Sequence, residues 1–372
     1  MLNIKGWKTV KTARTRTAAG LVLSLTLLAA CSAPAGNGAQ NTAGDLATAT
    51  LSGVINGSGA SSQVKAQQAW RDSFTAATGA IVNYEATGSG TGRDQFLSGQ
   101  VDFAATDSML KKDEIQAAIK RCGSEPIEVP LYISPIAIAF NLDGIDTVNM
   151  SAEVIAKIFD QKITTWNDPA IAALNDGVAL PDIPIIPVNR ADDSGTSKNF
   201  QQYLVESSKA WPHEPSDTWP IAGTQSAEKT SGVVNLVTST PGAITYADAS
   251  QIGKLGTVAV EVAGSFLPYS PEAAAAIVDN SAPAKDATER ILTVDLKRDG
   301  TVAGAYPVVM VSYLVACTQY DDASTAAIVK DYFTYMASAE GQASAAAANG
   351  GNAPISQALR TQALAAIEQI TK

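Results

Sequence analysis

Four short stretches of the 372-residue chain set small hydroxyl and glycine residues between an extended segment and a helical one. They are Gly57-Ser-Gly-Ala-Ser-Ser62, Thr87-Gly-Ser-Gly-Thr-Gly92, Thr106-Asp-Ser108 and Asn189-Arg-Ala-Asp-Asp-Ser-Gly-Thr-Ser197. The chemistry such places can do is anion binding. A helix's first turn carries unpaired N–H groups and a partial positive charge. Glycine lets the backbone come close to a ligand, and serine or threonine hydroxyls add donors. Arg190 adds a planar fork suited to two oxygens of a tetrahedral oxyanion. Taken singly, each feature has an ordinary explanation: a turn, an N-cap at Ser194, a surface charge at Arg190. Four such loops in one chain, one carrying an arginine, raise oxyanion binding above those explanations. No stretch reads Gly-x-x-x-x-Gly-Lys-[Ser/Thr], and Gly88-Ser-Gly-Thr-Gly92 has the wrong spacing for a dinucleotide fingerprint. The single histidine, His213, argues against a His-rich zinc site or a Ser-His-Asp triad.

The elements that must position these loops follow from periodicity. Apolar extended runs alternate with helical patterns, which indicates α/β architecture. Strands are expected at 80–84, 101–105, 127–141, 183–188, 242–246, 258–262 and 307–317. Helices are expected at 63–77, 111–121, 151–160, 196–207, 226–239, 324–348 and 356–370. In open α/β sheets, loops at the carboxyl ends of strands gather where ligands sit. Pro181, Pro184 and Pro187 predict an exposed or edge segment on the way to Asn189. The long apolar runs 131–141 and 307–317 read as crossings between two lobes. On that reading one domain is discontinuous, residues 51–134 with 309–372, and the other spans 135–308.

Hydrophobic residues make up 46% and charged residues 17%, which supplies a core and excludes wholesale disorder. A formal charge of −10 argues against a nucleic-acid partner, because phosphate-backbone binding needs clustered Lys and Arg. Residues 1–30 read as an export signal, with a basic start, an apolar run too short to span a membrane, and Leu28-Ala-Ala-Cys31 at its end. Small residues before Cys31 match a lipobox, so its thiol is expected to carry a lipid that anchors the chain to the cell membrane. The alternative is an ordinary signal with a chance cysteine. Residues 31–50 have the small, polar composition of a flexible linker. Removing the signal subtracts five positive charges, and −10 − 5 gives −15. The two remaining cysteines, Cys122 and Cys317, suggest a disulfide in an exported protein, with two buried thiols as the alternative.

Read in order, Gly57-Ser-Gly-Ala60, Tyr84 through Gly92, Val101-Asp-Phe-Ala-Ala-Thr-Asp107 and Arg190 through Ser197 resemble the phosphate-binding loops of the PstS family. These are extracytoplasmic phosphate-binding proteins of ABC-type importers. Ile163 through Asn175, Pro241 through Tyr246 and Ala305-Tyr-Pro307 extend the similarity over about residues 51–372. The resemblance implies a type II, two-lobed periplasmic-binding-protein fold with ligand in the interdomain cleft. It implies inorganic phosphate as ligand, the importer's permease subunits as partners, no cofactor and no metal. The family's ligand positions fall on Ser61, Ser62, Ser89, Asp107, Arg190, Ser194, Gly195 and Thr196, with Asp192 orienting Arg190. One departure is visible. Where the family often has Thr-Phe before a proline, this chain has Ser61-Ser62-Gln63, so the aromatic is missing and the contact at 62 is expected from a backbone N–H.

Asp107 is the informative residue, because an acid beside a bound anion should repel it. The repulsion disappears when the ligand brings a proton for the carboxylate to accept, as phosphate does and sulfate does not. In a dry cleft, sulfate would set two acceptors face to face. A site built to pair a ligand hydroxyl can reject an analogue lacking it by about 10⁴-fold. The simpler alternative is that Asp107 caps the following turn. Three further readings stay open: a binder of another oxyanion such as sulfate, a serine hydrolase or phosphatase, and a sensory lipoprotein that has lost its ligand. For the hydrolase, Ser194 or Ser197 would be the nucleophile near Lys198 or Lys229, but no base is identifiable.

Overall fold

A computed structural model describes residues 50–349 and 351–372. The export signal, Cys31 and most of the expected linker lie outside the described residues. Along the described chain the strands are β1 (Val54–Gly59), β2 (Ile81–Glu85), β3 (Phe103–Thr106), β4 (Ile127–Phe140), β5 (Thr147–Met150), β6 (Ile186–Arg190), β7 (Gln225–Ala227), β8 (Ala243–Asp248), β9 (Gly256–Val262), β10 (Ser265–Leu267), β11 (Ala282–Pro283), β12 (Val294–Asp295) and β13 (Val309–Ala316). The helices are α1 (Val64–Thr78), α2 (Ser89–Leu97), α3 (Lys112–Cys122), α4 (Ala152–Phe159), α5 (Pro169–Ala172), α6 (Gly195–Ser207), α7 (Lys229–Ser239), α8 (Pro271–Asp279), α9 (Ala323–Ala337), α10 (Ala339–Asn349) and α11 (Gln357–Ile367).

One curled sheet carries the order β2-β1-β3-β13-β4-β8-β6-β7, with β9 also on β4 and both β5 and β10 on β9. Every residue of the 14-residue β4 is buried. Such a strand reads as a continuous apolar run because both its faces are covered. Its two ends serve different neighbours. Residues up to Pro135 pair antiparallel with β13, whereas Ile136–Phe140 pair with β8. The first half-sheet is therefore β2, β1, β3, β13 and the start of β4. The second is the end of β4 with β8, β6, β7, β9, β5 and β10. Each half has its own aromatic packing, Phe74, Phe103 and Tyr332 in the first and Phe159, Phe200 and Tyr246 in the second.

Strand β1 was not expected from the sequence, nor were β5 and α8. The glycines of Thr87–Gly92 lie largely inside α2 rather than in a loop before it. A methyl group at Gly92 would sit 2.3 Å from the Gly59 Cα, so α2 packs on β1 only without a side chain at 92, and one at Gly59 would sit 1.9 Å from the Ala105 carbonyl oxygen of β3. The helix expected over 324–348 is two helices, divided at Ser338, whose hydroxyl accepts from the Gly341 N–H. Pro187 lies inside β6, which has neighbours on both sides, yet its placement obeys edge logic. The Ile186 N–H points to Gly242 beside β8, so the Pro187 nitrogen faces the other way, where β7 pairing starts only at Val188. Cys122, ending α3, and Cys317, just beyond β13, are joined by a disulfide with Cα atoms 5.3 Å apart.

Candidate functional site

Four helix starts meet where the half-sheets face each other. The turn Ser61–Gln63 leads from β1 into α1, and α2 begins at Ser89 after β2. Helix α6 begins at Gly195 after β6, and α7 at Lys229 after β7. Asp107 follows directly from β3. The residues expected at the site, Ser61, Ser62, Ser89, Asp107, Arg190, Ser194 and Thr196, are all buried.

Asp107 is the hub. Its Oδ1 accepts from the Ser62 hydroxyl at 2.7 Å and the Ser312 hydroxyl at 2.6 Å, and its Oδ2 accepts from Thr196 at 2.9 Å. Its backbone N–H donates to Ser89 Oγ at 3.1 Å, and its carbonyl accepts from Asn199 Nδ2 at 2.6 Å. Burial pushes the carboxyl above its usual range, and the Ser312, Ser62 and Thr196 hydroxyls and the Arg190 charge limit the rise. A carboxylate offers about four acceptor positions. Three hydroxyls occupy three of them, and the fourth is on Oδ2.

Arg190, at the end of β6, is clamped by Asp192: Nε donates to Oδ1 at 2.7 Å and Nη2 to Oδ2. The bidentate pairing fixes the plane of the guanidinium and leaves Nη1 outside the pair. Burial alone would raise the Asp192 carboxyl, but the bonds and charge of Arg190, with the Lys229 N–H at 2.9 Å, hold it below the usual carboxylate range. Lys229 reaches Asp192 with φ at +65°, a left-handed conformation uncommon for lysine. Ser194 is the N-cap of α6, accepting from the Ser197 N–H at 3.2 Å. Gly195 abuts Asp107 so closely that a methyl group there would lie 2.8 Å from the Asp107 Cβ.

The two half-sheets touch across this site. Ser61 Oγ lies 3.0 Å from Thr230 Oγ1 and accepts from the Thr230 N–H. Gln251 Nε2 donates to the carbonyls of Ser61 and Ser62, and the Gly90 N–H donates to the Asp193 carbonyl. The arrangement is a closed one: hydroxyls, helix N-termini and one guanidinium turned on a shared polar centre. Chemically it can hold a small oxyanion by hydrogen bonds while offering one acceptor to a ligand proton.

Sequence reasoning brought together the residues that the structure brings together, including the Asp192 clamp on Arg190. It missed Ser312, Thr230 and Gln251. Ser312 lies in the apolar run of β13 and Thr230 inside an expected helix, so neither carried a local signal. At position 62, where the family's aromatic is missing, the serine hydroxyl donates to Asp107 Oδ1. For the hydrolase reading, Ser194 Oγ serves the Ser197 N–H and Ser197 Oγ lies 2.7 Å from the Tyr246 hydroxyl. Neither contact supplies a base.

Three comparisons bear on this geometry. The family model described as PBP superfamily domain matches residues 38–340. The chain is 34% identical over 331 residues to phosphate-binding protein PstS 3 of Mycobacterium leprae (strain TN), covering 85% of this chain and 88% of that one. It is 31% identical over 373 residues to phosphate-binding protein PstS2 of Mycobacterium bovis (strain BCG / Pasteur 1173P2), covering 97% and 100%. Among solved structures, the phosphate-binding protein from Stenotrophomonas maltophilia matches with a TM-score of 0.66 at 21% identity, over 84% of this chain and 93% of that one. That likeness establishes the two-lobed periplasmic-binding fold.

Proposed function

This chain belongs to the family of PstS phosphate-binding proteins within the PBP superfamily, and from that premise we propose that it captures inorganic phosphate between two closing lobes and delivers it to an ABC importer. The observation that carries the reading is the Asp107 carboxylate with its single remaining acceptor position, set near Arg190 among four helix starts. Ser61, Ser62, Ser89, Arg190, Ser194, Gly195 and Thr196 donate to phosphate oxygens, and Asp107 accepts a phosphate proton. Asp192 holds the guanidinium in plane. The lobes are 51–134 with 309–372, and 135–308, and the change of partner along β4 supports that division. The protein works outside the cytoplasm, tethered by a lipid on Cys31, hands its ligand to permease subunits, and performs no catalytic step.

Calorimetric titration with phosphate and with sulfate tests the reading. The wild type is expected to bind phosphate and to discriminate against sulfate by about 10³-fold or more, because sulfate leaves the acceptor facing an acceptor. Asp107→Asn is expected to lose most of that discrimination. Equal affinities for the two anions in the wild type, or unchanged discrimination in the variant, would overturn the assignment.

A further inference from the structure

A second buried polar cluster lies beside the site, and its side chains bond to one another rather than to any ligand position. Arg93, on the second turn of α2, is 3% exposed and spends its guanidinium three ways. Nε donates to Glu114 Oε1 at 2.9 Å, Nη1 to Thr106 Oγ1 at 3.0 Å and Nη2 to Asp217 Oδ2 at 2.7 Å. Glu114 and Thr106 belong with Arg93 to the first half of the sequence's folded pairings. Asp217 comes from the loop between α6 and β7, in the second half. Its other oxygen, Oδ1, accepts from the Ser108 hydroxyl at 2.8 Å, again across the halves.

The cluster grips the residues on either side of Asp107, Thr106 through Arg93 and Ser108 through Asp217. Asp217 also reaches the opposite wall of the site, because its backbone carbonyl accepts from the Ser194 N–H at 3.0 Å, at the N-cap of α6. We infer that Arg93 and Asp217 form an interlobe clasp that holds the closed form shut and sets the rate of ligand release, a role that rests on the phosphate-capture reading. The asymmetry of the contacts gives the clasp its action. When the halves part, Arg93 keeps Glu114 and Thr106, so the cation stays paired and oriented. Only Asp217 leaves, and it leaves toward water. Opening must therefore break one buried, charge-assisted pair and the Ser108 bond together, while closing docks Asp217 onto a receptor already assembled. The other ionisable groups facing the pair are Glu114 and Glu128 on the Arg93 side and Lys198, one turn into α6, on the Asp217 side.

Asp217→Asn tests this. The amide keeps the shape and the Ser108 bond, the backbone carbonyl still holds Ser194, and Arg93 retains Glu114, so no buried charge is orphaned. Phosphate dissociation, followed by stopped flow with a fluorescent label at the lobe edge, is expected to accelerate about 10- to 100-fold, with the association rate within about threefold of wild type. The melting temperature without ligand is expected to stay put, whereas the upward shift on adding phosphate shrinks. A merely structural role predicts the reverse, a lower ligand-free melting temperature with unchanged dissociation, and that result would overturn the clasp. Should the wild type fail to bind phosphate, the functional reading falls, and the clasp is then judged on interlobe distances measured between spin labels in ligand-free protein. A closed population present in the wild type and lost in Asp217→Asn supports it. Identical distance distributions remove it.

Discussion

Ser312 sits one hydrogen bond away from Asp107, the acid to which the proposal gives the choice of ligand. Its hydroxyl takes a bond from Gln63 Nε2 at 2.6 Å and gives one to Asp107 Oδ1. Removing it strips a donor from a buried carboxylate, so the Asp107 carboxyl, already raised by burial, must climb further. A hydrogen bond to a charged group contributes about 1.5 kcal/mol, which is about one pH unit. An acid with a raised pKa is more protonated at a given pH, and protonated Asp107 has lost the acceptor a ligand proton needs. Ser312→Ala is thus expected to move the acid limb of phosphate binding up by about one pH unit relative to wild type. Titration of the ligand itself is common to both proteins and cancels. Superimposable affinity–pH profiles would show that Ser312 contributes packing alone. Arg190 and the hydroxyl- and glycine-rich stretches around Asp107 and Ser194-Gly-Thr196 were legible together as candidate anion-binding loops, and the resemblance to the PstS family singled out the individual positions. Ser312 was not legible, because one hydroxyl in Val309–Ala316 looks like a tolerated interruption of a core strand.

At the scale of elements, β4 carries an unusual burden. It is buried along its whole length and includes Glu128, at 0% exposure, whose Oε1 accepts from the Leu110 N–H at 2.9 Å while Oε2 has no hydrogen-bond partner among the described residues. Burial lifts this carboxyl from 4.5 to about 8, against the opposing Leu110 bond and Arg93 charge. The sign follows from proton linkage. Between about 4.5 and about 8 the folded protein holds a proton that the unfolded chain releases, so Glu128 costs stability progressively as pH rises through that window. Glu128→Gln is expected to leave the melting temperature near wild type at pH 4.5 and to exceed it increasingly toward pH 8. A gap that does not grow with pH would place the strand's pH response elsewhere. The same scale explains which elements were hidden in the sequence. Runs such as 127–141 and 307–317 are apolar because both faces are covered, and their periodicity reads directly. Strand β1 was invisible because its second half is Gly57-Ser-Gly59, with Gly59 at φ +137° against α2, and close packing there demands the small residues that otherwise mark a loop. Helix α2 has the complementary problem: its glycines lower helix propensity, and tertiary contact overrides that.

For the whole molecule, net charge and chain connectivity act on different steps. With a formal charge of −10, or −15 without the expected export signal, the chain offers no net long-range attraction for an anion, so the proposed recognition must rest on local dipoles and hydrogen bonds. The Cys122–Cys317 disulfide acts on the unfolded chain instead. It closes a loop of 195 residues that contains the entire second half-sheet, while both cysteines sit at the far side of the first, at the ends of α3 and β13. Loop-closure entropy for a ring of that length amounts to about 5 kcal/mol, and measured effects of native disulfides run about 2–5 kcal/mol. Neither cysteine touches Asp107, Arg190 or the Arg93–Asp217 pair, so the bond should stabilise the fold without setting the affinity. Replacing both cysteines by serine is expected to lower the unfolding free energy by about 2–5 kcal/mol in a denaturant titration, with the phosphate dissociation constant within about threefold of wild type. A large loss of affinity at unchanged stability would mean that the bond holds the first lobe in its binding geometry, and that the two halves are mechanically coupled through β13 and not only across the cleft.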